Sequence, residues 1–323
     1  MKTDTKQPLA MILGDGGIKA GFIAGAADEL IRHCRGVDEH LEQMVGVSAS
    51  VGNIIYYLAL GNKHPGKEMW TTLLTDPRFM HFSGLRDLYK NQPLYDLDFM
   101  VEKIFKEENP IDQSKAKNHR IKFYLPAQRD KDKKILYFTN DAAAVERDSG
   151  SRNREMRNVD NIDLYDIIKA ASAAPLIFDG TFEIEGERYL DAAAVEPLPI
   201  DLPEIANAKK IIILTKGRAG ILKKIRYILM GIIFMVLVWP FKRRRLSLSK
   251  YWQYGTKPFR LNRAIDFAVK EERAGRAILI HPTKKIGGLL DNSNQTLQNT
   301  YDHGVECARS KFNEIEKMLK DHT

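Results

Sequence analysis

Apolar positions along the chain form two patterns, short unbroken runs and longer stretches of helical spacing, and the two alternate. "PLAMIL" (8–13) is an unbroken run that reads as a buried strand ending at a glycine-rich turn. "AGFIAGAADELIRHC" (20–34) has helical spacing, with small and apolar residues on one face and Asp28, Glu29 and Arg32 on the other. "EQMVGV" (42–47) reads as a second strand and "ASVGNIIYYLALG" (49–61) as a helix closed by Gly61. Strand, glycine turn, helix, strand, sharp turn, helix is the order of a parallel sheet with crossover helices.

Residues 64–107 read as helices and loops that cover this sheet. "RIKFYLPAQ" and "KKILYFTN" flank the charged turn "RDKDK" and predict a hairpin. The polar, aperiodic stretch 146–161 predicts an exposed loop. "LYDIIKAASAAPLIF" starts as a helix and stops at Pro175. "GTFEIEGERYLDAAA" predicts a hairpin turning at Gly186, and "KKIIILT" a buried strand. "PFRLNRAIDFAVKEERAG" predicts a helix ended by Gly275, "RAILIHP" a strand, and 296–320 one long helix. No clean boundary interrupts the pattern, so residues 1–323 are read as a single domain.

With 323 residues and 44% hydrophobic content, the chain can bury a full core. Fifty basic residues against 42 acidic ones give +8, a mild excess that suits an anionic surface. The basic residues form no nucleic-acid recognition motif, so no nucleic-acid partner is expected. Cys34 and Cys307 suggest neither a disulfide framework nor a metal site. The apolar run near the N-terminus is too short for a secretory signal, so a cytoplasmic location is expected.

Ser48 lies between the second strand and its helix, in "MVGVSASVGN", a near Gly-x-Ser-x-Gly pattern with Ser50 in the last place. A serine there is either a helix cap or a nucleophile lifted above the sheet by a sharp turn, with the small neighbours Gly46 and Ala49 letting the turn close. "LGDGGIKAGF" (13–22) fits neither a dinucleotide loop nor a P-loop. It does suit an oxyanion hole formed by the N–H groups of Gly16, Gly17 and Ile18, with Lys19 adding positive potential.

A third block carries a resemblance. Ala171-Ser172-Ala173-Ala174-Pro175, then Tyr189-Leu190-Asp191-Ala192-Ala193, then Pro199-Ile200 resemble the second block of the patatin-like phospholipases. The glycine loop and the Ser48 elbow resemble that family's first blocks, and residues 75–100 its lid-side segment in the bacterial branch. The likeness runs over about residues 9–282. It implies a three-layer α/β/α fold with a mostly parallel central sheet. It also implies a serine lipid acyl hydrolase of phospholipase A or lysophospholipase type, with no cofactor and no metal. Ser48 would be the nucleophile and Asp191 the base. The expected substrate is a phospholipid or acylglycerol.

The departures from the family pattern are Gly14-Asp15 in exchanged order, Ala20, Ser50 and Ala192-Ala193. If Ala192 had to adopt positive φ, the cost would be about 1 kcal/mol or more. A catalytically weak or inactive lipid-binding relative is therefore the alternative. A Ser–acid–His triad through His281 or His303 is the mechanistic rival. Finally, residues 227–241 carry no charge and are flanked by Lys223, Lys224 and Arg226 and by 242–245. A helix of that length spans about 22 Å, short of a bilayer crossing. It is read as a helix within 221–245 lying on the inner face of an anionic membrane, with a buried core helix as the other reading.

Overall fold

The computed structural model describes residues 8–63, 66–80, 94–148, 153–175, 178, 180–238, 247–288 and 291–320. The first strand, β1 (Leu9–Leu13), is buried along its whole length. It pairs in parallel with β2 (Leu41–Gly46) on one side and β8 (Lys210–Leu214) on the other. The full order is β5-β4-β3-β2-β1-β8-β9, with β3 at Lys122–Arg129, β4 at Ile135–Thr139, β5 at Arg154–Asn158 and β9 at Ala277–Ile280. A hairpin of β6 (Phe182–Ile184) and β7 (Glu187–Asp191) joins through β7 to β3. Five of the eight pairings are parallel, so the sheet is mostly parallel.

Alternation along β1 shows why the run is apolar throughout. Leu9, Met11 and Leu13 enter one core, with α1 (Ala20–His33), α2 (Ser50–Leu60), α3 (Leu164–Ser172) and α6 (Asn294–Arg309). Ala10 and Ile12 enter a second core on the opposite face, where α5 (Leu248–Arg273) packs Leu261, Ile265 and Ala268. Helices cover both faces, which gives three layers, and a strand covered on both faces has no polar positions to show.

The hairpins and the order of elements follow the sequence pattern, with three differences. The expected loop at 146–161 contains β5, a half-exposed edge strand paired in parallel with β4. Its polar side chains are held by ion pairs, Arg154 to Glu196 and Glu155 to Lys134 and Arg129. Helix α5 starts at Leu248, ten residues before Pro258, and continues through that proline. Proline removes one ladder donor, and the Arg260 guanidinium donates to the nearby Gln253 carbonyl. The long C-terminal helix is two helices, α6 and α7 (Phe312–Lys320). Between them the Ser310 hydroxyl donates to the Cys307 carbonyl at 2.7 Å, a local bond that competes with the helical ladder.

The segment 227–241 begins inside α4 (Ile221–Ile233), which continues as a wider-wound turn at Phe234–Val238. Its described part is a surface helix with Leu229, Ile232, Ile233 and Val236 exposed, which does not fit the buried-core reading. Half of the lid-side segment 75–100, namely 81–93, together with Trp239 and 242–245, lies outside the described residues. Among the described residues, no helix is long and apolar enough to cross a membrane.

The inner strand β8 lies between β1 and β9, with Ile212 fully buried. Ile212→Ala is expected to lower unfolding free energy by about 2–5 kcal/mol. Glu42→Ala, at an exposed position of β2, should change it by less than about 0.5 kcal/mol. Urea denaturation of both variants measures the difference.

Candidate functional site

The elbow is built where β2 ends. Val47 N–H donates to Leu13 O at 3.0 Å, which keeps the chain in register with β1 for one residue past the strand. Ser48 then adopts φ 61°, a left-handed conformation that costs a residue with a Cβ about 1 kcal/mol or more. Two hydrogen bonds hold it there, Ser50 N–H to Val47 O at 3.2 Å and Val51 N–H to Ser48 O at 2.9 Å. The helix folds back so tightly that a Cβ on Gly46 would lie 2.6 Å from Ile54 Cδ1. No side chain caps α2, so Ser48 is not serving as its cap. Ser50, in place of the pattern's glycine, donates its hydroxyl to Gly14 O at 2.8 Å and ties the elbow to the glycine loop.

The Ser48 hydroxyl donates to Asp191 Oδ2 at 2.6 Å, between residues 143 positions apart. Ser48 is 6% exposed and Asp191 2%. Asp191 ends β7, and its N–H donates to Ala173 O at 3.1 Å, so the Ala171–Pro175 block holds the aspartate backbone. Its Oδ1 accepts from Ala193 N–H at 2.8 Å and opens a short turn over Ala192–Ala194. Ala192 is not among the described residues with positive φ, so the alanines here carry no left-handed strain. Arg260 closes the turn from α5 by donating to Ala194 O through Nε at 2.9 Å and Nη2 at 2.6 Å.

A charged cluster lies behind the pair. Asp15 is buried and paired with Lys216 and, at 2.5 Å, with Lys257. Burial pushes the Asp191 carboxyl above the usual carboxylate range, against the opposing pull of Lys257, the Ser48 hydroxyl and the Ala193 N–H. Burial acts on Asp15 too, but Lys216 and Lys257 outweigh it and hold that carboxyl below its ordinary value. Asp15 and Asp191 in turn hold Lys257 above the usual lysine value against burial. Lys19 is pulled down to about 8 by burial and by the neighbouring Lys223 and Lys285.

The glycine loop leads into a tight turn at Gly17–Lys19, where Lys19 N–H donates back to Gly16 O at 3.2 Å. The first N–H groups of such a turn have no partner within it. These belong to Gly16, Gly17 and Ile18, and among the described residues none of the three donates to another backbone carbonyl. Gly17, Ile18 and Ser48 are among the residues that line a pocket. Its walls are largely apolar, with Trp70, Phe79, Met100, Phe105 and Ile168 among them.

Sequence reasoning located Ser48, Asp191 and the loop, and the structure brings them together. It does not bring in the rival histidines. His281 is exposed and bonded to Pro282 O at 3.1 Å, and His303 Nε2 accepts from Thr283 N–H at 3.1 Å. Among the described residues neither bonds Ser48 or Asp191. Sequence reasoning missed Lys216, Lys257 and Arg260. The only available signal was the i, i+3 pair of cations on α5 beside an internal proline. Among the described residues, no three His, Cys, Asp or Glu side chains converge as a metal site would require.

The family model described as patatin-like phospholipase matches residues 11–203. A second model, a domain of unknown function (DUF6363), matches residues 259–320. No curated protein matches the chain. Among solved structures the chain is similar to VipD from Legionella pneumophila, with 11% identity and a TM-score of 0.44, over 94% of this chain and 67% of that one.

The charge of Lys257 opposes burial at Asp191, so its removal has a defined sign. The Asp191 carboxyl is expected to titrate above the ordinary carboxylate range in the wild type, higher still in Lys257→Met, and near the wild-type position in Lys257→Arg. Carbon-13 titration of the labelled carboxyl measures all three, and coincident curves for wild type and Lys257→Met would show that the lysine charge does not reach Asp191.

Proposed function

Because the chain belongs to the patatin-like phospholipase family, we propose that it hydrolyses lipid acyl esters through Ser48 and Asp191. The observation that carries this reading is the direct 2.6 Å bond from the Ser48 hydroxyl to a buried carboxylate, with no histidine between them. Serine alone is a weak nucleophile and needs an adjacent base. A carboxylate raised by burial accepts that proton more readily than an ordinary one.

In the proposed reaction, Ser48 Oγ attacks the ester carbonyl carbon as its proton passes to Asp191 Oδ2. The negative charge that develops on the carbonyl oxygen meets the N–H groups of Gly16, Gly17 and Ile18, and Lys19 adds positive potential near the loop. Asp191 then gives its proton to the departing alkoxide oxygen, leaving an acyl ester on Ser48. Water attacks that ester with its proton moving to Asp191, and the proton returns to Ser48 as the fatty acid leaves. The apolar cavity beside Ser48 suits the acyl chain. The substrate class is a phospholipid, lysophospholipid or acylglycerol. Residues 1–323 are read as one unit, supported by the pairing of β8, which lies beyond residue 203, with β1.

The non-catalytic alternative drew its motive from the glycine replacements. Ser50 has a partner in Gly14 O, and Ala192 lies outside the positive-φ set, so neither replacement disables the site geometrically. A fluorophosphonate probe should label the wild type and leave Ser48→Ala unlabelled. Ester hydrolysis should fall about 10⁴-fold or more in Ser48→Ala and in Asp191→Asn. Activity of Asp191→Asn at the wild-type level would remove the aspartate from the mechanism, and equal labelling of Ser48→Ala would remove the serine.

A further inference from the structure

Between Glu204 and Asp266 the chain carries fifteen lysines and arginines and no acidic residue. Fifteen positive charges here against +8 overall leave −7 for the remainder. The chain therefore has one strongly cationic segment on an otherwise acidic protein, and α4 and the first half of α5 lie inside it.

Helix α4 has one face committed to the protein. It crosses α5 at a glycine pair, where a Cβ on Gly231 would lie 3.2 Å from Gly255 Cα and one on Gly255 3.2 Å from Tyr227 O. Around that contact Tyr227 stacks on Tyr254 and Phe234 on Tyr251, with centroids 5.8 and 6.0 Å apart. The opposite face carries Ile221, Leu222, Ile225, Leu229, Ile232 and Val236, from 41% to 84% exposed. Helix α5 adds exposed Trp252 and Phe259, and the Lys224 ammonium lies 5.3 Å over the Phe259 ring. Arg226 is exposed beside them.

An apolar helix face this continuous needs a partner. We propose that it docks the protein onto the surface of an anionic lipid bilayer, with α4 lying in the interface plane. The charge pattern selects this occupant. A second copy of the chain would bring the same cations to the same face, and like charges opposed across an interface disfavour it. An anionic bilayer offers hydrocarbon to the isoleucines and leucines and phosphates to Lys224 and Arg226. The described residues of this helix and its continuation, 221–238, reach about 27 Å at most, short of the roughly 30 Å hydrocarbon core, and three of them are charged. The inference depends on this surface and is independent of turnover at Ser48.

Co-sedimentation with phosphatidylcholine vesicles, with and without phosphatidylglycerol, tests it. The wild type should bind the phosphatidylglycerol vesicles and release in high salt. Ile225→Glu/Leu229→Glu should lose about tenfold or more of that binding, and Lys224→Glu/Arg226→Glu should lose the preference for anionic lipid. Circular dichroism and hydrolysis of a soluble short-chain ester are read separately. Binding loss with unchanged short-chain hydrolysis places the defect at docking, and absence of hydrolysis in every variant tests the catalytic reading alone. If the apolar double variant does not fold, the charge pair carries the test. Vesicle binding that survives both pairs of substitutions overturns the proposal. So does failure of the wild type to bind vesicles, including the case where sedimentation equilibrium shows a dimer that the apolar substitutions dissociate.

Discussion

The hydrogen bond from Ser48 to Asp191 joins residues 143 positions apart, and it exists because two strands share one side of β3. Along β3, β2 pairs in parallel up to Tyr124, and β7 pairs antiparallel from Ala127. The opposite side of β3 is taken by β4 over Tyr124–Gln128, so β7 must use the side where β2 has stopped. Only about 10 Å of β3 separates the two pairings. Because β2 and β7 approach from opposite directions, the end of β2 that leads to the elbow meets the Asp191 end of β7. Sheet register thus brings serine and aspartate together, and the elbow at Ser48 and the turn at Ala192–Ala194 only aim the side chains.

Burying a carboxylate next to a serine needs a nearby cation, and a cation too close would quench its basicity. The site resolves this with two aspartates and two lysines. Asp15 takes the direct ion pairs with Lys216 and Lys257 and is held low. Asp191 takes hydrogen bonds from neutral groups, Ser48 and Ala193, and feels Lys257 only through its field, so burial wins and its carboxyl rises. The same lysine helps hold Asp15 below its ordinary value but does not offset the burial that raises Asp191. Environments that drive neighbouring acids apart in this way are a mark of assigned acid–base roles. In the proposed reaction the negative charge passes from Asp191 to the carbonyl oxygen as the proton moves.

The sequence was most legible where pattern and burial coincide. β1, α1, β2, α2 and the β6–β7 hairpin follow from apolar runs, helical spacing and the turn at Glu185-Gly186, whose φ values are 50° and 78°. Ser48 stood out by its place at a sharp strand-to-helix turn, whereas the role of Asp191 came only with the family resemblance of its block. β5 was hidden because an edge strand with both faces half exposed needs no apolar alternation, and its order comes from pairing with β4 and from ion pairs with distant residues. The start of α5 was hidden by Pro258, which ordinarily marks a boundary. The roles of Lys257 and Arg260 could not be read locally, since their partners Asp15 and Ala194 are remote in sequence.

Helix α5 connects the two halves of the proposal. One turn of its inner face carries Lys257 to the Asp15–Asp191 cluster and Arg260 to the Asp191 turn. Its outer face carries Trp252 and Phe259 and, through the Gly231–Gly255 crossing, the whole of α4. Lys257 and Phe259 are two residues apart on a helix, which directs them to opposite sides. At that crossing the two glycines leave no side chain of their own between the backbones. Tyr227 and Tyr254 stack between the two helices, and the Lys257 ammonium lies 5.5 Å from the Tyr254 ring centroid, so contacts run from α4 to the charged cluster.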